Sequence, residues 1–151
     1  MTDKPFSRQE IERRQQAIRD SLTATEAFVA FSFTASYYFS GAPIVHWGRP
    51  TITVVPQSVP VFTVTSAMEA PRLESLGHIH EVQVYTDSDG PSLPTALSLF
   101  SRALRNRGID SISFDASMTP CANLALLKEL CPTLATRDGS ADLNALRKVH
   151  S

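Results

Sequence analysis

The spacing of apolar residues divides the chain into alternating helices and strands. Ile11, Ile18 and Leu22 repeat at intervals of seven and four, which places them on one helical face. Ser7 precedes this stripe with Glu10 three residues later, the pattern of a capping box. The pattern therefore predicts a helix of about 14 residues after Ser7.

The next apolar run has the length of a strand. Ala27–Phe31 is continuously apolar and rich in branched and aromatic residues, as expected for a strand that is buried on both faces of a sheet. A short helix through Tyr37–Phe39 is predicted to follow, capped by Thr34 or Ser36 and ended near Gly41. The residues from 42 to 50 contain two prolines and one glycine and are predicted to form a loop.

The rest of the chain continues the alternation. A hairpin of Thr51–Val55 and Val59–Val64 around Pro56 is predicted first, then a helix within Ala67–Leu76 whose start Pro71 delays, and then a strand Glu81–Tyr85. The next helix has the apolar stripe Leu93, Leu97, Phe100 and Leu104 and ends at Gly108. The last predicted elements are a strand Ser111–Phe114, a helix that begins at Thr119-Pro120, a strand Thr133–Thr136 and a helix toward Val149. This order predicts a single α/β domain over residues 1–151, with a mixed sheet that contains one hairpin and has helices on both faces.

Composition and charge exclude several classes of protein. Leu, Ile, Val and Phe make up about a quarter of the chain and the net charge is −1, which excludes a disordered chain. Lys and Arg are dispersed, so no nucleic-acid-binding surface is predicted. No apolar run approaches the roughly 18 residues of a membrane span, and the first residues lack the apolar segment of a signal peptide. We therefore expect a cytoplasmic protein that does not bind membranes.

The residues suited to catalysis or metal binding do not form a recognisable site. His78 and His80 alternate along a strand-like segment, but the other histidines are distant in sequence, so a solvated pair is predicted. Asp87-Ser88-Asp89-Gly90 resembles the start of a calcium loop, but Ser98 stands where that loop requires Glu, which leaves an acidic turn. Nucleophile and phosphate-binding motifs are absent as well.

One loop is more informative. The segment from Tyr37 to Pro50 is rich in large aromatic residues and contains a single arginine, Arg49, two residues after Trp47. Trp and Arg are typical anchors of interfaces, and the planar guanidinium matches a carboxylate. The alternative is that Trp47 covers an edge of the core while Arg49 is merely solvated.

At this loop the sequence resembles a known family, the N-terminal domain shared by creatinase, prolidases and Xaa-Pro aminopeptidases. The resemblance extends over essentially the whole chain. It rests on Phe6–Arg14, Tyr37–Ser40, Trp47-Gly48-Arg49-Pro50 with the following strand, Ser111–Asp115, and Leu146–Ser151, which resembles the segment where the family's catalytic domain begins. His150 stands where the family usually has Lys.

The resemblance implies a ribonuclease-H-like α/β domain without catalytic residues or cofactor of its own. It further implies that the reaction belongs to a C-terminal catalytic domain, absent from this chain, which holds two divalent metal ions in the peptidases and none in creatinase. The expected partners are that catalytic domain, a second subunit and a small carboxylate-bearing substrate or peptide. The parent enzyme would be an Xaa-Pro dipeptidase or aminopeptidase, or a creatinase-type amidinohydrolase.

The resemblance also implies roles for two residues. In creatinase the corresponding loop reaches the substrate bound in the neighbouring subunit, which gives Trp47 the aromatic position and Arg49 the carboxylate-binding position, although creatinase has a smaller aromatic there. Two other interpretations stay open: a stand-alone module that binds a small anion, and an autonomous small enzyme with an unrecognised site.

Overall fold

The structure, a computed structural model, describes residues 6–44, 49–78 and 81–150. Six helices and six strands alternate along them, with two additional single-turn 3-10 helices. The helices are α1 (Arg8–Arg19), α2 (Phe33–Ser40), α3 (Ala70–Leu76), α4 (Ser92–Asn106), α5 (Cys121–Leu130) and α6 (Ser140–His150). The strands are β1 (Glu26–Ala30), β2 (Ile52–Pro56), β3 (Phe62–Ser66), β4 (Glu81–Tyr85), β5 (Ser111–Phe114) and β6 (Ala135–Asp138).

The six strands form one mixed sheet in the order β4-β3-β2-β1-β5-β6. Strand β2 is antiparallel to both of its neighbours, whereas β4 is parallel to β3, and β5 is parallel to β1 and to β6. Five strands therefore run in one direction and only β2 runs against them. This confirms the predicted α/β class and the hairpin of β2 and β3.

Alternate side chains of the strands enter two separate cores. Ala27 and Val29 of β1 pack with the apolar stripes of α4 and α5. Phe28 and Ala30, which point to the opposite face, pack with residues of α1, α2 and α6. Helices thus cover both faces, because a strand that is apolar on both sides has to bury both.

The ends of two helices differ from the prediction. Helix α2 is capped by Ser32, whose hydroxyl accepts a hydrogen bond from Ala35 N at 3.1 Å, and not by Thr34 or Ser36. Its end at Gly41 is as predicted, and this glycine has the left-handed backbone (φ 79°) that favours glycine. Helix α5 starts one residue later than predicted, so that Pro120 lies at the N-cap.

A row of buried hydroxyl groups crosses the hairpin on the side of α2. Thr53 lies opposite Thr63, with 3.2 Å between their hydroxyl oxygens, and Ser36 of α2 approaches Thr53 to 2.6 Å. Because each hydroxyl both donates and accepts, the row satisfies polar groups that would otherwise be buried without partners.

On this face an arginine–carboxylate pair links the edge strand β6 to β1 across β5. Arg137 on β6 donates from Nε and Nη2 to the Glu26 carboxylate on β1, at 2.7 and 3.1 Å. The residues of β5 between them, Ser111 and Ser113, are small, which leaves room for the long side chain to cross. Glu26 is only 4% exposed, so this pair is largely buried at its acidic end.

Candidate functional site: the carboxyl edge of the sheet

Arg49 lies at the edge of the sheet where the five parallel strands end. Because β2 runs in the opposite direction, its start meets the carboxyl ends of β3 and β4. Arg49 and Pro50 precede β2, and Asp87 comes two residues after the end of β4. In α/β proteins this edge is where ligands usually bind, since loops there are free to vary while the strands hold them in place.

The guanidinium of Arg49 is held by Asp87 through two hydrogen bonds. Nε donates to Oδ1 at 3.0 Å and Nη2 donates to Oδ2 at 2.6 Å, a bidentate arrangement. The Arg49 side chain is 34% exposed and that of Asp87 is 60% exposed. The hydrogen bonds from Arg49 hold the pKa of Asp87 below its ordinary value, and the same contact raises the pKa of Arg49. Both groups are therefore charged at neutral pH.

A buried tyrosine connects the backbones that carry this pair. The Tyr85 hydroxyl, at the end of β4, donates to the carbonyl oxygen of Pro50 at 2.6 Å, while the residue as a whole is 2% exposed. Burial raises the pKa of Tyr85, so the hydroxyl stays protonated and remains a donor. This bond fixes the residue after Arg49 to the strand that leads into Asp87.

Asp87 is also positioned by its own segment. Asp87–Asp89 forms a single turn of 3-10 helix, and the Asp89 carboxylate accepts from the backbone N–H of Thr86 at 2.8 Å. The predicted acidic turn is thus correct in outline. Its most important contact, the ion pair with Arg49, was not predicted.

The second residue of the predicted pair lies outside the described residues. Trp47 belongs to the segment 45–48, so its role stays a prediction. Arg49 alone of the two can be placed, and its guanidinium is neither buried in the core nor free in solvent.

The histidine prediction was wrong for His78. This residue is only 8% exposed, and Nε2 lies 2.7 Å from the carbonyl oxygen of Phe6. The same peptide segment is held by Gln15, whose side-chain amide donates to the carbonyl oxygens of Phe39 and His78 at 2.8 and 3.2 Å. His78 therefore anchors Phe6, two residues before α1. His80 lies outside the described residues.

The comparison with models of protein families shows to which family the chain belongs. The model described as the creatinase/prolidase N-terminal domain matches residues 11–149, which is most of the chain. The chain belongs to this family. The membership confirms the resemblance seen in the sequence. No curated protein is similar enough to the sequence to count as a match.

Solved structures related to this creatinase/prolidase N-terminal domain have the same fold. A proline dipeptidase from Streptococcus pneumoniae superposes with a TM-score of 0.74 at 14% identity, over 93% of this chain and 98% of that chain. The N-terminal domain of an X-Pro dipeptidase from Streptococcus pyogenes gives 0.70 at 14% identity, over 92% and 99%. A dipeptidase from Mycobacterium ulcerans gives 0.74 at 21% identity, over 97% of this chain but only 38% of that one. Identities this low show the fold alone.

The described part of this creatinase/prolidase N-terminal domain offers little to a metal ion. Within residues 6–44, 49–78 and 81–150, no three His, Cys, Asp or Glu side chains come together in a group that could hold one. Across the same residues, no helix has the length and apolar character that a bilayer crossing requires. At the carboxyl edge, Arg49 and Asp87 form a charged and partly exposed pair.

Proposed function

We propose that residues 1–151 form the non-catalytic N-terminal domain of a hydrolase of the Xaa-Pro peptidase or creatinase type. Family membership supports this, as do the names of the similar structures, which are dipeptidases and a domain of one. The M. ulcerans dipeptidase, of which the chain spans 38%, is an example of the domain in a much longer protein. The reaction, and any pair of divalent metal ions that it uses, would belong to the separate catalytic domain.

Within that hydrolase, we assign to this domain a share of the dimer interface and the capping of the partner subunit's substrate pocket. The observation that carries this assignment is the state of Arg49: it is charged, held at the carboxyl edge and partly exposed. Such a group suits a carboxylate of a small substrate or peptide. Trp47 would supply an aromatic wall beside it.

The first test is the kinetics of Arg49→Ala in the hydrolase that carries this domain. A hydrogen bond to a charged group that is lost in this way lowers kcat/KM roughly ten- to hundredfold. Arg72→Ala is the matched control, since Arg72 is an exposed arginine of α3 with no ion pair to a described residue. Equal kinetics for Arg49→Ala and the control would reject the role of Arg49.

A second test asks whether Arg49 acts across the dimer. One subunit carries Arg49→Ala with an intact catalytic domain, and the other carries Arg49 with an inactivated catalytic domain. If Arg49 reaches the partner's pocket, mixing the two restores activity, because one complete site forms in each mixed dimer. Activity that stays at the level of the unmixed variants would show that Arg49 does not act in trans.

A further inference from the structure

The ion pair at the carboxyl edge uses only one side of the Arg49 guanidinium among the residues that the structure describes. A guanidinium carries five N–H donors. Asp87 takes one from Nε and one from Nη2, which together form the side edge of the group. The terminal edge, made by Nη1 and the second N–H of Nη2, has no hydrogen bond to a described residue.

We infer that Asp87 is a positioning residue, which fixes Arg49 by its side edge and so presents the terminal edge to an incoming carboxylate. The inference rests on the proposed function, because it assumes that Arg49 binds a carboxylate. A planar carboxylate can bind the terminal edge with two parallel hydrogen bonds while Asp87 stays in place. Asp87 would thus determine the direction from which the ligand approaches.

The surroundings of the pair hold it in this geometry. Tyr85 joins the two backbone segments through Pro50, and the turn of Thr86–Asp89 fixes the backbone that carries Asp87. A free arginine side chain has several rotatable bonds, so a guanidinium that is already held loses less conformational entropy when it binds a ligand. Positioning by Asp87 therefore lowers the entropic cost of binding, while its negative charge opposes the approach of a carboxylate.

The alternative is that Asp87 is a competitor which the ligand carboxylate has to displace. The two arrangements differ in which nitrogen responds to the ligand. If Asp87 positions Arg49, a carboxylate perturbs the Nη groups and leaves Nε bound to Asp87. If Asp87 competes, the carboxylate takes the side edge and Nε changes its partner.

In the experiment, the chain is labelled with ¹⁵N-arginine and titrated with acetate at constant ionic strength. NMR spectra monitor the ¹H–¹⁵N signals of the arginine side chains. Arg49→Lys assigns the signals, Arg72 reports non-specific binding, and acetamide is the uncharged control for acetate. We expect acetate to shift the Nη signals of Arg49 and to leave its Nε signal in place. In Asp87→Asn we expect the shift to extend to Nε, because Asn has no charge and only one acceptor oxygen and can no longer hold both nitrogens of the side edge.

A matched variant separates the contact from the charge. Glu69 acts on Arg49 only through its charge, since both hydrogen bonds of Arg49 to described residues go to Asp87, so Glu69→Gln removes a nearby negative charge and keeps the pair. This variant should respond to acetate like the unmodified chain. If acetate shifts the Nε signal of the unmodified chain as much as that of Asp87→Asn, Asp87 does not position Arg49. The binding of carboxylate by Arg49 would still stand. A different outcome is that acetate shifts no Arg49 signal in any variant, although the Nε signal without acetate still differs between the unmodified chain and Asp87→Asn. That outcome would overturn carboxylate binding by Arg49 and thereby the proposed function of this loop.

Discussion

Two bidentate arginine–carboxylate pairs stand at opposite ends of the sheet and differ in what surrounds them. Arg137 and Glu26 meet near the amino ends of β1 and β5, where the Glu26 side chain is 5% exposed. Arg49 and Asp87 meet at the carboxyl edge, where Asp87 is 60% exposed. The two contacts have almost the same geometry, so burial rather than geometry distinguishes them.

The two arginines, Arg137 and Arg49, also differ in how many of their guanidinium nitrogens donate hydrogen bonds. Nη1 of Arg137 donates to Asp142 at 3.2 Å and Nη2 also donates to the carbonyl oxygen of Ser21 at 3.1 Å, so every nitrogen has a partner within the domain. Arg49 uses only Nε and Nη2 on a described residue. An arginine whose three nitrogens all have partners within the domain supports the fold, whereas one with an edge unused by the described residues is suited to a ligand.

The largest expected effect is on stability, and it comes from the buried pair. Arg137→Met replaces the guanidinium with an apolar side chain of similar length and leaves the Glu26 carboxylate buried without its partner. Breaking a fully buried pair removes roughly 3–5 kcal/mol. Because Arg137 is itself 42% exposed and water can reach that side, we expect a loss of about 2–3 kcal/mol in the free energy of unfolding. Urea denaturation measures it.

The matched control for this prediction is Arg49→Met, the same chemical change in the exposed pair. It should leave the urea midpoint where it is. The double variant Glu26→Gln/Arg137→Met should recover part of the loss, because it no longer buries an unpaired charge. A double variant as unstable as Arg137→Met would show that the pairing of charges is not what stabilises this region.

The fold could be predicted from the sequence to a large extent because its signals are local. Apolar stripes, continuous apolar runs and prolines placed α1–α6 and β1–β6 of the described residues within a few residues, whereas the two single-turn 3-10 helices were not predicted. The predicted cap of α2 was wrong because Thr34 and Ser36 are as suitable for an N-cap as Ser32, which was not considered, and only the start of the helix in the folded chain selects Ser32.

The site could be predicted only in part, since its contacts are long-range. Arg49 stood out by its residue type and its loop. Asp87, 38 residues away, meets it only because β3 lies between β2 and β4, an order that the sequence does not reveal. The prediction that His78 is solvated was wrong for a similar reason, because its partner is the carbonyl oxygen of Phe6, 72 residues away.

The second prediction is that low pH removes the part of the free energy of unfolding that comes from the ionised Glu26 carboxylate. Burial alone raises the pKa of Glu26, but the hydrogen bonds from Arg137 and from the Thr23 N–H and the charge of Arg137 leave it below its ordinary value. A carboxylate with a lowered pKa in the folded state stabilises the fold above its unfolded pKa of about 4.3 and loses that contribution as the pH falls through the folded value. The stability difference between the unmodified chain and Glu26→Gln should therefore shrink from about pH 5 downward.

Urea denaturation of both proteins across this pH range provides the measurement. Other carboxylates titrate in the same range, but they are common to both proteins, so the difference isolates Glu26. A difference that stays constant down to pH 3 would mean that Glu26 does not lose its contribution in acid.

The smallest expected effect is that of Asp87→Asn on stability. The pKa of Asp87 is also lowered by an arginine, but water reaches both side chains, and exposed ion pairs contribute little because solvent and salt screen them. We expect urea midpoints that cannot be distinguished from those of the unmodified chain, at low and at high salt, while the response of Arg49 to acetate changes. A loss of stability comparable with that of Arg137→Met would contradict the division between the two pairs, because the exposed pair would then support the fold instead of presenting Arg49 to a ligand.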